Sequence, residues 1–213
     1  MPERKKRTYD NSRRSAQARL TRAEVHRAAF RLFGEQGYAA TSLPQIAAAA
    51  GVSVETVRKM GPKSGLLDGA REVAVFDESG VDEVLDTTFL RSVAAQEDLA
   101  GAVEVLVDFY ATSNHRAAAF WQAWRAAAAG DPVVAAAWER EMASAHGAFR
   151  TGIAYAAGRG WLREDVSAEE LAATLWVLAA SETYTRLTVD AGFTDDDYRS
   201  WLRRMLLEQL APR

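Results

Sequence analysis

Glu55, Arg58 and Lys59 place a carboxylate and two cations within five residues of one another. An arginine fork can donate two hydrogen bonds to guanine O6 and N7, a carboxylate can accept from the cytosine amino group, and a lysine ammonium neutralises phosphate. As plain exposed helix charges the same cations are only solvated, and Glu55 only complements a helix N-terminus. Thr21, Thr41 and Ser42 fall where helices are expected to begin, so their hydroxyls can hold phosphate oxygen or simply cap. Other chemistries are poorly supplied. The three histidines, His26, His115 and His146, form no His-x-x-x-His or His-Glu-x-x-His pair, and cysteine is absent. Glu141 and His146 are five apart and share a helix face poorly. No glycine-rich loop follows a strand, and nothing singles out a Ser/His/Asp set. The expectation is no catalytic site, no metal and no cofactor, hence not an enzyme.

Charge is unevenly distributed. Residues 1–63 hold 13 Lys and Arg against 5 Asp and Glu, and the remainder holds 13 against 24. The basic part suits a polyanion, because each phosphate that it neutralises releases condensed counterions; the acidic part would be repelled by the same partner. A disordered basic tail on an unrelated domain is the plainer reading of that asymmetry. No apolar run reaches 18 residues, so no transmembrane helix is expected. The basic start lacks the apolar stretch of a secretory signal, and the absence of cysteine fits a reducing cytoplasm.

The elements that must carry these side chains read as helices throughout. Residues 1–19 have few large apolar groups and many charges, and are expected to be a flexible basic arm. Thr21 and Glu24 make a capping box, followed by Val25, Ala28, Ala29, Leu32 and Phe33 on one helical face, with Gly37 as the stop. Ser42 and Gln45 open a short second helix that ends at Gly51. Ser53 caps a third through about Met60, and after Gly61-Pro62 a fourth runs from Lys63 to Phe76. Leu99, Val103, Leu106, Val107 and Tyr110 form another stripe. Asp131-Pro132 starts a helix reaching Gly158, Ser167-x-x-Glu170 opens one, and Thr194 with three aspartates opens the last. The fold class is all-α: a three-helix head at 20–66 and a larger helical domain at 67–213.

Within residues 43–62, Ala47, Gly51 and Val57 occupy the fifth, ninth and fifteenth places of a twenty-residue unit. These are the places where a helix-turn-helix needs a small crossing residue, a positive-φ turn and an inward apolar side chain. Val54, Glu55, Arg58 and Lys59 are then left to face outward, into a major groove. The basic side chains of the arm (Arg4, Lys5, Lys6, Arg7, Arg13 and Arg14) can track phosphates or enter the minor groove.

The pieces Ala29-Phe30-x-Leu32-Phe33, Gly37-Tyr38-x-x-Thr41-Ser42, Ile46-Ala47-x-x-Ala50-Gly51-Val52-Ser53 and Thr56-Val57 make Thr21–Leu67 resemble the DNA-binding domain of the tetracycline-repressor (TetR/AcrR) family. The resemblance implies a dimeric, ligand-responsive transcriptional regulator, usually a repressor, with a double-stranded DNA operator as partner. Carried over onto matching positions, it gives Thr21, Thr41, Ser42, Ser53, Val54, Glu55, Thr56, Arg58, Lys59 and Lys63 as DNA-facing residues. The run Arg58-Lys59-Met60-Gly61-Pro62-Lys63 is one residue shorter than the family pattern. Met60 then takes the packing role of the family's Phe, Lys63 keeps the place of its phosphate-facing lysine, and Arg58 replaces the missing aromatic phosphate contact.

The resemblance also assigns the helices after the head to effector binding and dimerisation. Tyr110, His115, Phe120, Trp121, Trp124, Trp138, Trp176 and Glu182 are candidate effector contacts, for aromatics can stack a flat apolar ligand. Ordinary core packing competes for each tryptophan, and a pair with Arg186 competes for Glu182. The helices at about 167–190 and 195–210 are expected to form a homodimer's four-helix interface. Two recognition helices would then lie roughly 34 Å apart and select a palindromic operator. The expected mechanism is repression relieved by a small apolar or aromatic effector. A constitutive dimeric DNA-binding regulator without a ligand and an all-α protein–protein adaptor are the other readings; the adaptor would have no salt-dependent DNA affinity.

Overall fold

The computed structural model describes residues 5–77 and 88–212, the side chains of 5–13 excepted. Every element among them is a helix or helical turn, and none of these helices is long and apolar enough to cross a membrane. The chain divides into two compact units, residues 1–82 and 83–213.

The first unit holds α1 (Lys5–Ala40), α2 (Leu43–Ala49), α3 (Val54–Arg58), a 3-10 turn at Lys63–Gly65, and α4 (Leu66–Phe76). α1 begins well before Thr21, which corrects the sequence reading of 1–19 as an arm with a cap at Thr21. From Lys5 to Phe33 there is no glycine or proline, and Arg, Lys, Ala and Gln all favour helix. The apolar periodicity starts only at Val25, the first buried side chain among those described in α1, because periodicity marks where a helix meets a core and not where it begins. At Gly37 the helical path breaks with φ 82° and ψ 160°, a conformation readily open to glycine.

α2 opens with the expected capping box, Ser42 and Gln45 bonding each other's backbone amides, with Pro44 in its first turn. It closes through Gly51 at φ 67°, where the Gly51 amide donates to Ala48 O and the Val52 amide donates to Ala47 O. That pair of bonds is a Schellman turn, which needs a residue at positive φ. α1, α2, α3 and α4 bury Val25, Ala28, Phe33, Ile46, Ala47, Val57, Leu66, Leu67, Ala70 and Val73. α4 packs on α1 and belongs to this unit, so the division falls at 82/83 and not at 66/67.

Where α1 meets α4, the His26 ring lies directly over Gly69. Nδ1 of His26 is buried and has no hydrogen-bond partner among the described residues. Burial holds the imidazole below its ordinary value of 6.5; Glu72 pulls the other way and Arg22 adds to the depression. The folded head therefore keeps a neutral ring that the unfolded chain would protonate. Stability contributed by the neutral ring is complete above about pH 6.5 and is lost as pH falls toward the folded value. Amide hydrogen exchange in the head should accelerate between pH 7.5 and 5.5 after correction for intrinsic rates, and His26→Phe should flatten that dependence. An equally steep dependence in the variant would refute it.

The second unit holds α5 (Thr88–Ala94), α6 (Leu99–Ala128), α7 (Pro132–Gly158), α8 (Ala168–Ala179), α9 (Ser181–Thr185), a π turn at Arg186–Asp190, and α10 (Asp195–Leu210). Each of four helix starts carries its cap: Asp98, Asp131, Ser167 and Thr194 accept amides of the first turn. α6 packs against α5, α7, α9 and α10, and α8 packs against α7 and α10. Val103, Val107, Ile153, Leu171, Leu175, Tyr198, Leu202 and Leu206 form the centre of their common core.

One expectation fails here. The single helix expected over 167–190 is broken at Ala180, whose ψ of 145° is extended. The break frees the Ala179 carbonyl, and the buried Asn114 amide of α6 donates to it at 2.9 Å. The Thr183 hydroxyl donates to Val177 O at 2.6 Å. A side chain of α6 and one from just beyond the break thus satisfy what the helix gives up.

Candidate nucleic-acid interface

α3 stands in the head with Val57 fully buried and Glu55, Arg58 and Lys59 exposed. Ser53 caps it: the Thr56 amide donates to Ser53 Oγ at 3.1 Å, and the two hydroxyls lie 2.8 Å apart. Val54 and Thr56 are half-buried at its edges. Of the set expected to face outward, Glu55 and Arg58 are exposed on α3 and Lys59 at its C-cap, whereas Val54 is half-buried. Of the basic stretch before the head, Arg14 is exposed on α1, while Arg4 lies outside the described residues and the side chains of Lys5, Lys6, Arg7 and Arg13 are not described.

Three expected phosphate ligands are placed differently. Thr21 lies inside α1, where no free amides accompany its hydroxyl. Thr41 is buried; its hydroxyl faces Gly37 O at 2.8 Å and Leu32 O at 3.2 Å, and accepts from Gln36 Nε2. It ties the broken end of α1 to the start of α2. The Lys63 ammonium donates to Tyr38 O at 2.7 Å and Thr41 O at 2.9 Å, and sits 4.1 Å over the Tyr38 ring. A cation at the carbonyl end of α1 meets the negative end of the helix dipole, so Lys63 braces the head from within. Ser42 remains exposed at a helix start, with its hydroxyl bonded to Gln45. Met60 is half-buried just before Gly61, which takes φ 121°.

In the second unit the eight candidate effector contacts do not converge. Phe120, Trp121 and Trp124 of α6 gather with Trp138 of α7. Tyr110 stacks on Phe149 at 5.9 Å and meets Phe109 edge-on; burial and the nearby Tyr198 push its phenol well above the ordinary range. Trp176 faces His146, which also approaches Glu169. Glu182 pairs across helices with Arg125 at 2.9 Å, not with Arg186 along its own. His115 Nδ1 is 3.0 Å from both the Tyr184 hydroxyl and the Asp195 carboxylate. Tyr184 donates to Asp195 at 2.9 Å, and its phenol is pushed up to about 12 by partial burial and then by that carboxylate.

Sequence reasoning missed Asn114, Tyr184 and Asp195 as connectors of α6, α9 and α10. For Asn114 a signal existed: an amide standing on an apolar face, three residues after Ala111 and three before Ala117, both buried. A buried amide on such a face must find partners.

Residues 26–57 match the sequence profile of the bacterial regulatory proteins of the tetR family. No curated protein sequence matches the chain significantly. In structure it resembles native NalD of Pseudomonas aeruginosa, the secondary repressor of the MexAB-OprM multidrug efflux pump (19% identity, 92% of this chain and 98% of that one, TM-score 0.67). It also resembles a transcriptional regulator of Saccharomonospora viridis in complex with choline (18%, 89% and 97%, TM-score 0.66). A third likeness is SmeT in its triclosan complex (17%, 90% and 91%, TM-score 0.67). At such identities these are likenesses of fold. The head thus carries a helix-turn-helix similar to that of the tetR-family regulatory proteins at residues 26–57, and the chain as a whole shares the fold of these solved structures.

Proposed function

We propose that the protein is a ligand-responsive repressor that binds a palindromic operator as a homodimer in the cytoplasm. The observation that carries the reading is the exposed Glu55 and Arg58 on α3 and Lys59 at its C-cap, set on a buried Val57 and a Schellman turn at Gly51. In this reading α3 enters the major groove, Arg58 and Lys59 contact guanine edges or phosphates, and Ser42 and Ser53 add hydroxyl contacts to the backbone. The stretch from α8 to α10 pairs the subunits, with Val177, 61% exposed on α8, among the side chains available for it. A small apolar or aromatic molecule among the central helices then favours a state with lower operator affinity, through its unequal affinity for the two states. Triclosan and choline in the two related structures support small-molecule control by analogy.

Selection of bound sequences from random duplexes, followed by titration at several salt concentrations, tests the DNA half. The selected site should be palindromic, and affinity should fall steeply with salt. Arg58→Ala should weaken binding to that site by roughly 1–3 kcal/mol if the guanidinium reads a base. Unchanged affinity in Arg58→Ala removes the residue from the interface, and no duplex preference at low salt removes the function.

A constitutive DNA-binding dimer is the second reading. It is favoured by Phe120 and Trp124, each 1% exposed and packed as core. Operator affinity indifferent to a broad panel of small molecules would support it.

A further inference from the structure

On the ligand-responsive reading above, we propose that the Trp124 indole N–H is the polar anchor of the effector site. The effector is then a flat, uncharged aromatic molecule carrying a hydrogen-bond acceptor. Trp121 and Trp124, one turn apart on α6, stack at 5.7 Å with planes only 8° apart. Trp138 of α7 stands edge-on to both, at 6.3 and 5.8 Å, and Phe120 closes the group at 5.4 and 5.7 Å. Four rings of this kind are a stacking surface for another flat ring.

Packing alone accounts for the rings but not for the nitrogen. Trp124 is 1% exposed, and its Nε1 is buried with no hydrogen-bond partner among the described residues. A buried indole N–H ordinarily finds an acceptor, because the donor has been taken out of water. The chemistry that meets it is a carbonyl, ether or ring-nitrogen lone pair on the ligand. A bare cation, though attracted to ring faces, offers no lone pair. A charged ligand would lose its hydration among four apolar rings, and the neighbouring Arg125 and Glu182 already neutralise each other. Trp121 and Trp138 are partly exposed, whereas Phe120 and Trp124 are not. The first two are therefore the rings that part to admit the ligand, and Trp124 stays fixed as its anchor.

Quinoline and naphthalene test this, being the same shape with and without one acceptor nitrogen. The chain has six tryptophans, and Trp124→Phe identifies the Trp124 indole N–H signal in the nitrogen–proton spectrum by removing it. At about pH 7.5, quinoline should move that signal downfield in the wild-type protein. It should also bind about tenfold more tightly than naphthalene, the size of one hydrogen-bond preference. In Trp124→Phe the preference should vanish while naphthalene affinity is kept. If the variant does not fold, single Trp→Phe changes at the other five tryptophans assign the signal by elimination and the wild-type readouts decide. Equal affinity for the two probes, an unmoved Trp124 signal, or no binding of either overturns the proposal. The same titration with operator duplex present separates the two inferences. Quinoline on Trp124 without operator release leaves the site standing and removes the effector reading. Release by another ligand class with Trp124 unmoved does the reverse.

Discussion

Tyr198→Ala is expected to destabilise the helical unit of residues 83–213 by about 3–5 kcal/mol, the cost of emptying a large buried aromatic site. Tyr198 is fully buried on α10; its ring meets Tyr184 at 4.9 Å nearly edge-on, and it lies in the same cluster as Val103, Val107, Leu202 and Leu206. Those neighbours come from α6, α9 and α10, so a cavity there cannot collapse without moving three helices. The hydroxyl contributes far less. The Asn114 amide reaches it only at 3.4 Å and is better engaged with Ala179 O at 2.9 Å. Burial nonetheless pushes the phenol up to about 12, so it stays protonated throughout the physiological range. Tyr198→Phe should therefore cost about 1 kcal/mol or less. All six tryptophans lie beyond residue 83, so denaturant titration followed by tryptophan emission reports this unit alone. A Tyr198→Phe loss as large as that of Tyr198→Ala would mean that the hydroxyl, not the ring, holds the core.

Gly69→Ala should cost the head about 3 kcal/mol, at the upper end of ordinary overpacking. Alanine is the better helix former by roughly 0.5–1 kcal/mol, so at an open site on α4 the same change would stabilise. Here a methyl at position 69 falls within the envelope of the His26 ring, against three of its atoms and not against a flexible tip. The whole imidazole must swing out, or α1 and α4 must separate. His26→Ala removes the obstacle, so Gly69→Ala made in that background should be neutral or stabilising. The double-mutant cycle should give a coupling of about 2 kcal/mol or more. Circular dichroism melting and loss of operator binding in parallel would follow the head through the cycle. Additive losses would show that the two side chains do not meet.

The helices were legible in the sequence because their starts are written in short-range chemistry. Ser42 with Gln45, Ser53, Asp131 before Pro132, Ser167 and Thr194 with Asp197 all cap where their hydroxyls and carboxylates predict. So was the helix-turn-helix, because Ala47, Gly51 and Val57 each answer a local steric demand. The exposed faces of Glu55, Arg58 and Lys59 follow from helical periodicity once Val57 is known to point inward.

What tertiary structure decided is of another kind. α1 extends to Lys5 although no apolar pattern marks its first turns, and Thr21, a plausible cap by residue type, is an interior helix residue. The helix after Ser167 breaks at Ala180 in a stretch of ordinary helix formers, where an amide from α6 takes up the freed carbonyl. Lys63 and Thr41 have the residue types of phosphate ligands, yet the end of α1 claims them both. The physical reason is the same in each case. Local sequence fixes which donors and acceptors a residue carries, but a buried carbonyl or ammonium bonds to whatever the packing of distant helices brings within about 3 Å, and spacing along the chain does not record that distance.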